Sequence, residues 1–305
     1  MAATILSTMR THMPLVVLGF GRSGSTWVAD VLARLSGGIV LNEPLNPCMG
    51  FAGNELVWRE PVSGRTAADL DAILDGLVRA PWLLRAEFAP LATADHQAIG
   101  RYWDTKPIVG LKETFHACTA VPWMLDLSGG RLAFVAREPL PTISSVLARP
   151  TFWALGWSAH SRMILDASLW SPAAEGTVLE ELRRFDRRSA SYLSRVALCW
   201  AAMHAAAFLD LAAAGVNWWD YEDLVDSPGA FRALCASLDV PWDAELAMTS
   251  QASRTRYGRP TTLTIPEQAE VMRIVGPVLD MAAEIRPAYP PALRHRGPGA
   301  SPRPC

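Results

Sequence analysis

The chain has 305 residues, of which 50 % are hydrophobic and 19 % charged, with a net charge of −2. That length and apolar content suit one α/β domain with a large core. The near-neutral charge, with no strongly basic segment, excludes a general electrostatic footprint for nucleic acid. Five scattered cysteines without a Cys-x-x-Cys pair argue against a disulfide framework or a structural zinc site, and fit a reducing, cytoplasmic compartment. No His/Cys/Asp cluster has ligand spacing, so no metal is expected.

In chain order, residues 1–13 read as a flexible tail without a signal-peptide pattern. Leu15-Val16-Val17-Leu18 reads as a buried strand, Gly19 to Gly24 as a tight turn, and the spacing from Val28 to Leu35 as a helix. A strand, a glycine turn and a helix start together make an anion site, because free backbone N–H groups and the helix dipole both favour negative charge. Two familiar patterns fit the letters in part. Gly19-x-Gly21-x-x-Gly24 matches the dinucleotide fingerprint, with Glu43 near the position of its ribose-binding acid. The phosphate-loop pattern of nucleotidases and kinases also fits, but Ser25 stands where its lysine belongs, so phosphoryl transfer is poorly supported.

Arg22-Ser23-Gly24-Ser25-Thr26-Trp27 resembles a third pattern, the 5′-phosphosulfate loop of sulfotransferases that use 3′-phosphoadenosine-5′-phosphosulfate (PAPS). The resemblance implies that the amides and hydroxyls of Ser23, Gly24, Ser25 and Thr26 hold the 5′-phosphate. It puts Arg22 beside the transferring sulfonate and Trp27 against adenine. Ile39-Val40-Leu41 is a second short strand delivering Asn42-Glu43-Pro44 to the same sheet edge. Carbohydrate and tyrosyl-protein members of the family carry a Glu there as general base, which implies that role for Glu43. Golgi members have an N-terminal membrane anchor; with a strand starting near Leu15, none is expected here.

Residues 66–79 read as an amphipathic helix. Residues 107–111 form a further strand, ending in Lys112-Glu113-Thr114. A lysine at a strand end beside an anion site suits charge stabilisation on a leaving phosphate oxygen. Cytosolic sulfotransferases have Lys-Thr-His at this point, the His being their base. Here Thr114 occupies the His position, which shifts weight to Glu43, with Glu113 and His116 as further candidates. The strand at 131–136 runs into Arg137 and then a helix starting near Leu140. Arg137 and Ser145 reproduce the spacing of the family's 3′-phosphate motif. A planar guanidinium binds phosphate oxygens in a fork.

The Trp-rich region 151–195 reads as a helical lid, and Val196 to Val216 as an apolar core helix interrupted by His204 and Asp210 rather than a membrane span. Tyr221-Glu222-Asp223-Leu224 resembles a segment that follows a late core strand in sulfotransferases; Tyr221 and Glu222 are expected to anchor that strand end. In the basic stretch from Ser250 to Pro260, Ser253 and Arg254 are assigned by the resemblance to cofactor contacts. A last helix at 266–286 is expected to weaken or kink at Gly276-Pro277. Residues 287–305 are Pro- and Arg-rich and expected to be disordered.

The whole reads as one α/β sulfotransferase domain over residues 14–286, with a central parallel sheet flanked by helices and a phosphate-loop-like strand–loop–helix site. The expected reaction is sulfonate transfer from PAPS to a hydroxyl of a sugar, lipid or secondary metabolite, leaving adenosine 3′,5′-bisphosphate. Arg22, Glu43 and Lys112 are the expected catalytic set. The rivals are an NAD(P)-binding oxidoreductase, from the glycine fingerprint, and a non-catalytic nucleotide-binding module.

Overall fold

The computed structural model describes residues 14–42, 108–114, 121–148, 178–184, 190–251 and 261–286. The helix expected at 66–79, most of the Trp-rich region, both chain ends, Glu43, His116, Ser253 and Arg254 lie outside these residues. In chain order the elements are β1 (Leu15–Gly19), α1 (Ser25–Leu35), β2 (Ile39–Asn42), β3 (Ile108–Glu113), α2 (Val121–Ser128), β4 (Leu132–Ala136) and α3 (Pro139–Leu147). They continue with α4 (Val178–Arg183), α5 (Tyr192–Ala213), β5 (Trp218–Asp220), α6 (Tyr221–Asp226), α7 (Pro228–Ser237), α8 (Ala244–Gln251) and α9 (Ile265–Ile285).

The described strands form one parallel sheet in the order β2-β3-β1-β4-β5. The α/β class expected from the alternating pattern is the class observed. β1 and β4 are continuous apolar runs because helices cover both of their faces. Val16, Leu18, Phe20 and Phe134 share one core with α5 and α9; Leu15, Val17, Ala133 and Val135 share another with α1 and α7. Cys199 and Cys235 are buried thiols, one in each core. Burial pushes the Cys235 thiol up to about 12, which makes it an inert packing group.

α5 is apolar on every side because it is packed on every side. Among the described residues it is the one helix long and apolar enough to cross a membrane, yet 83 % of its most apolar stretch is buried inside the fold. It is therefore the core helix that its alanine content, His204 and Asp210 suggested.

β3 runs through Lys112 and Glu113, which pair with Val17 and Leu18 of β1, so both are buried ladder residues at its carboxyl end. α9 runs unbroken past Pro277. A proline inside a helix costs roughly 3 kcal/mol. Two features offset it: Val271, Ile274, Val275, Val278 and Ala282 are buried, and a capping box fixes the start. There Thr264 N–H donates to Glu267 Oε2 at 2.7 Å, and Glu267 N–H to Thr264 Oγ1 at 3.5 Å.

Candidate nucleotide site

Strand order creates the site. The chain leaves β1 toward β2 on one side of the sheet and leaves β4 toward β5 on the other, and β1 and β4 are neighbours. Ligands of open α/β sheets bind beyond the carboxyl ends of strands where the winding reverses in this way. The loop after β1 and the junction after β4 are the segments that line that point.

The loop is built for close approach. A Cβ on Gly19 would stand 2.5 Å from Ser23 Oγ and 2.8 Å from the Val135 carbonyl oxygen, so the turn closes only over glycine. Ser23 N–H donates to the Phe20 carbonyl at 2.9 Å, and the backbone then passes through Arg22 at φ 71° and Gly24 at φ 87°. A left-handed non-glycine residue costs about 1–2 kcal/mol, and residues held so concentrate at ligand clamps. Gly24 caps α1 without a side-chain hydrogen bond, and no acidic residue stands in the first turn. The positive end of the helix is thus left for an outside anion. Ser23 is fully buried, and its hydroxyl has no hydrogen-bond partner among the described residues. That donor, the open helix start and the glycine cradle together fit a phosphate group.

Gly24 is closed on its other side by Tyr221, whose ring a Cβ would overlap. Gly24→Ala therefore meets both a left-handed backbone and an occupied space. Urea denaturation of this variant is expected to show a loss of about 2 kcal/mol; unchanged stability would mean that the loop tolerates another conformation.

Arg22, Arg137 and Ser145 come together here from distant parts of the chain. Arg22 Nε donates to Ser145 Oγ at 3.1 Å, and Arg137 Nη1 donates to the Arg22 carbonyl at 3.1 Å. The Arg137 guanidinium lies 5.1 Å from the Tyr221 ring centroid, and its Nε lies 3.7 Å from Glu222 Oε1. Burial, foremost, pushes the Glu222 carboxyl up to about 7, with Glu138 adding to the rise and Arg137 opposing it. Beside Ser145, Ser144 Oγ accepts the Thr262 N–H at 3.0 Å, which ties the segment before α9 to α3.

Lys112 is 2 % exposed and pairs with Asn42 of β2 and Val17 of β1, so β3 carries it between the two outer strands. Glu43 follows Asn42 directly and lies outside the described residues. Glu113 is fully buried in register with Leu18. Ser25 is buried in the first turn of α1, and Thr26 is half-buried. Trp27 is 8 % exposed and set edge-on to Tyr221 and Phe231, with centroids 5.9 and 5.4 Å away. It is a core residue here, and stacking on a base would require that face to open. Among the described residues no group of three His, Cys, Asp or Glu side chains could hold a metal.

Tyr221 and Glu222 were expected only as anchors of a strand end. The structure seats both against Arg137. The signal available in sequence was their place directly after β5, the neighbour of β4, at the edge from which Arg137 emerges.

No protein-family model and no curated protein matches this chain. Among solved structures, the chain is similar to a sulfotransferase from Mycobacterium avium at 14 % identity and TM-score 0.42, over 91 % of this chain and 81 % of that one. With identity and TM-score that low, nothing about chemistry follows from the likeness.

Proposed function

We propose that this chain transfers a sulfonate group from PAPS to the hydroxyl of a small-molecule or carbohydrate-like acceptor. The observation that carries this reading is the meeting of Arg22, Arg137 and Ser145 at the point where the sheet winding reverses. PAPS differs from ATP and NAD in its 3′-phosphate, and a second cationic subsite beside a phosphate loop is what such a ligand needs. Arg137 and Ser145 would bind that 3′-phosphate. The amides of the β1–α1 loop, with Ser23, Ser25 and Thr26, would hold the 5′-phosphate. Arg22 and Lys112 would stabilise charge on the sulfonate and the leaving oxygen, and Glu43 would take the acceptor's proton. Ser253 and Arg254 would add contacts to the nucleotide. PAPS supplies an activated sulfonate and a good leaving group; the protein supplies position and charge.

The dinucleotide reading has less support. In the usual dinucleotide order the second strand lies beside the first and presents the ribose-binding acid there. Here β3 separates β2 from β1.

Thermal unfolding with adenosine 3′,5′-bisphosphate, NAD, NADP and 5′-AMP tests the cofactor. A ligand at 100 times its Kd adds about 2.7 kcal/mol, enough to raise Tm by several degrees. The bisphosphate is expected to give that rise, and Arg137→Ala to abolish it. A rise with NAD or NADP alone would overturn the reading.

A further inference from the structure

Arg137 keeps acidic company that an anion-binding arginine does not need. Glu222 Oε1 stands 3.7 Å from its Nε. Glu222 stands in the first turn of α6, and Arg137 leads from β4 into the cap of α3, so the pair spans the starts of the two helices. The charged groups that act on it are Arg137, at the end of β4, and Glu138, at the cap of α3. On its own element the next acids are Asp223, one residue on, and Asp220, which is tied to Arg286 at 2.6 Å. Burial, foremost, and Glu138 oppose the charge on Glu222, while Arg137 favours it.

A phosphate ester arriving at Arg137 changes that balance. It brings negative charge to the guanidinium that Glu222 already uses, and two anions sharing one cation in a half-buried site disfavour each other's ionisation. The response that breaks no other contact is proton uptake by the carboxylate.

We propose that Glu222 is a positioning residue that holds Arg137 at the winding reversal and takes up one proton from solvent when a phosphate ester binds there. This rests on the assignment of Arg137 to the 3′-phosphate. The carboxylate becomes a carboxylic acid, Arg137 stays cationic, and no other bond forms or breaks. Nucleotide affinity is then linked to pH through Glu222. The free site has its carboxyl near 7, so the linkage shows above neutral pH. Binding is tight at pH 6.5 and weakens as pH rises, because a proton must be drawn from an ever more dilute supply.

The test is isothermal titration with adenosine 3′,5′-bisphosphate and with 5′-AMP between pH 6.5 and 8.5, in buffers of different ionisation heat. For the wild type, the bisphosphate is expected to show proton uptake and a Kd that rises above pH 7, by at most about tenfold per pH unit. 5′-AMP, which lacks the 3′-phosphate, should show neither. Glu222→Gln should bind the bisphosphate with a flat pH profile and no excess uptake; Glu222→Asp should restore part of the slope. A Glu222→Gln protein that keeps the wild-type slope and uptake overturns the proposal. So does one that loses binding at every pH without rescue by aspartate, since Glu222 would then be only a prop. Wild type that fails to bind the bisphosphate at all would instead bring down the cofactor assignment, and this inference with it.

Discussion

Replacing Glu43 by glutamine is expected to lower turnover ~100- to 10,000-fold, about 3–5 kcal/mol of transition-state stabilisation. Bisphosphate affinity should stay within about twofold, because the lost interaction forms only as the acceptor gives up its proton. The reason is positional. β2 lies two strand spacings from β1, roughly 10 Å, and Lys112 sits on the strand between them. In the proposed reaction a sulfonate held by the β1 loop and an acceptor oxygen behind it would occupy that span, and Glu43 is the residue that follows Asn42 in sequence. Glutamine preserves volume and hydrogen bonding while removing the proposed base. The measurement is kcat and KM for sulfonate transfer across a panel of hydroxyl acceptors, with the bisphosphate Kd measured on the same preparations. Glu113→Gln is the necessary comparator, because Glu113 ends β3 and is fully buried. Normal turnover in Glu43→Gln beside a collapse in Glu113→Gln would move the base one strand over.

The sheet was readable because each strand is short, apolar and bounded by turn residues. Leu15–Gly19 and Leu132–Ala136 could hardly be anything else. The register of β3 was not readable. Lys112 and Glu113 look like a polar stop signal, yet both are buried within the sheet, an arrangement that depends on neighbours remote in sequence. The same limit hid the full form of the Arg137 site. Arg137 and Ser145 share one strand–helix junction, so their spacing is local and visible. Arg22 comes from 115 residues before Arg137 and meets it only because the sheet places β4 beside β1. Tyr221 is further removed still, and it joins the two halves: its ring closes the space at Gly24 and lies under the Arg137 guanidinium. A substitution at either contact is thereby felt at the other. Pro277 marks another limit. Local propensity argues for a weakened or kinked turn there, while the buried face of α9 and its capping box argue for continuation, and the helix spans Pro277.

Acid should unfold this protein through His204, and the effect should be among the largest that any single side chain contributes. His204 lies on α5, fully buried, stacked on Trp200 at 3.9 Å, with Phe20, Phe134 and Phe208 around it. Its Nδ1 is 2.8 Å from the Trp200 carbonyl, so the proton resides there. Nε2 has no partner among the described residues. Burial of this kind opposes the imidazolium and pushes the pKa down to about 3, with the Trp200 carbonyl opposing the fall. The unfolded chain titrates near 6.5. Between those values the unfolded state binds more protons, so stability is complete above pH ~6.5 and falls as pH drops, by ~1.4 kcal/mol per unit and up to about 5 kcal/mol in all. Glu222 works with the opposite sign: its raised pKa gives a contribution that is lost as pH rises through about 7. Comparison of wild type with His204→Phe isolates the histidine. Phenylalanine keeps the ring stack, and the Trp200 carbonyl retains the helix N–H of residue 204. Urea unfolding from pH 7.5 to 4.5 should give curves that agree near neutrality and diverge below pH 6.5, the variant being the more stable in acid. Parallel curves would mean that the ring is protonated without penalty. Phe20, the first residue after β1, lies 5.8 Å from this imidazole, so the penalty for charging His204 falls on the core beneath that strand.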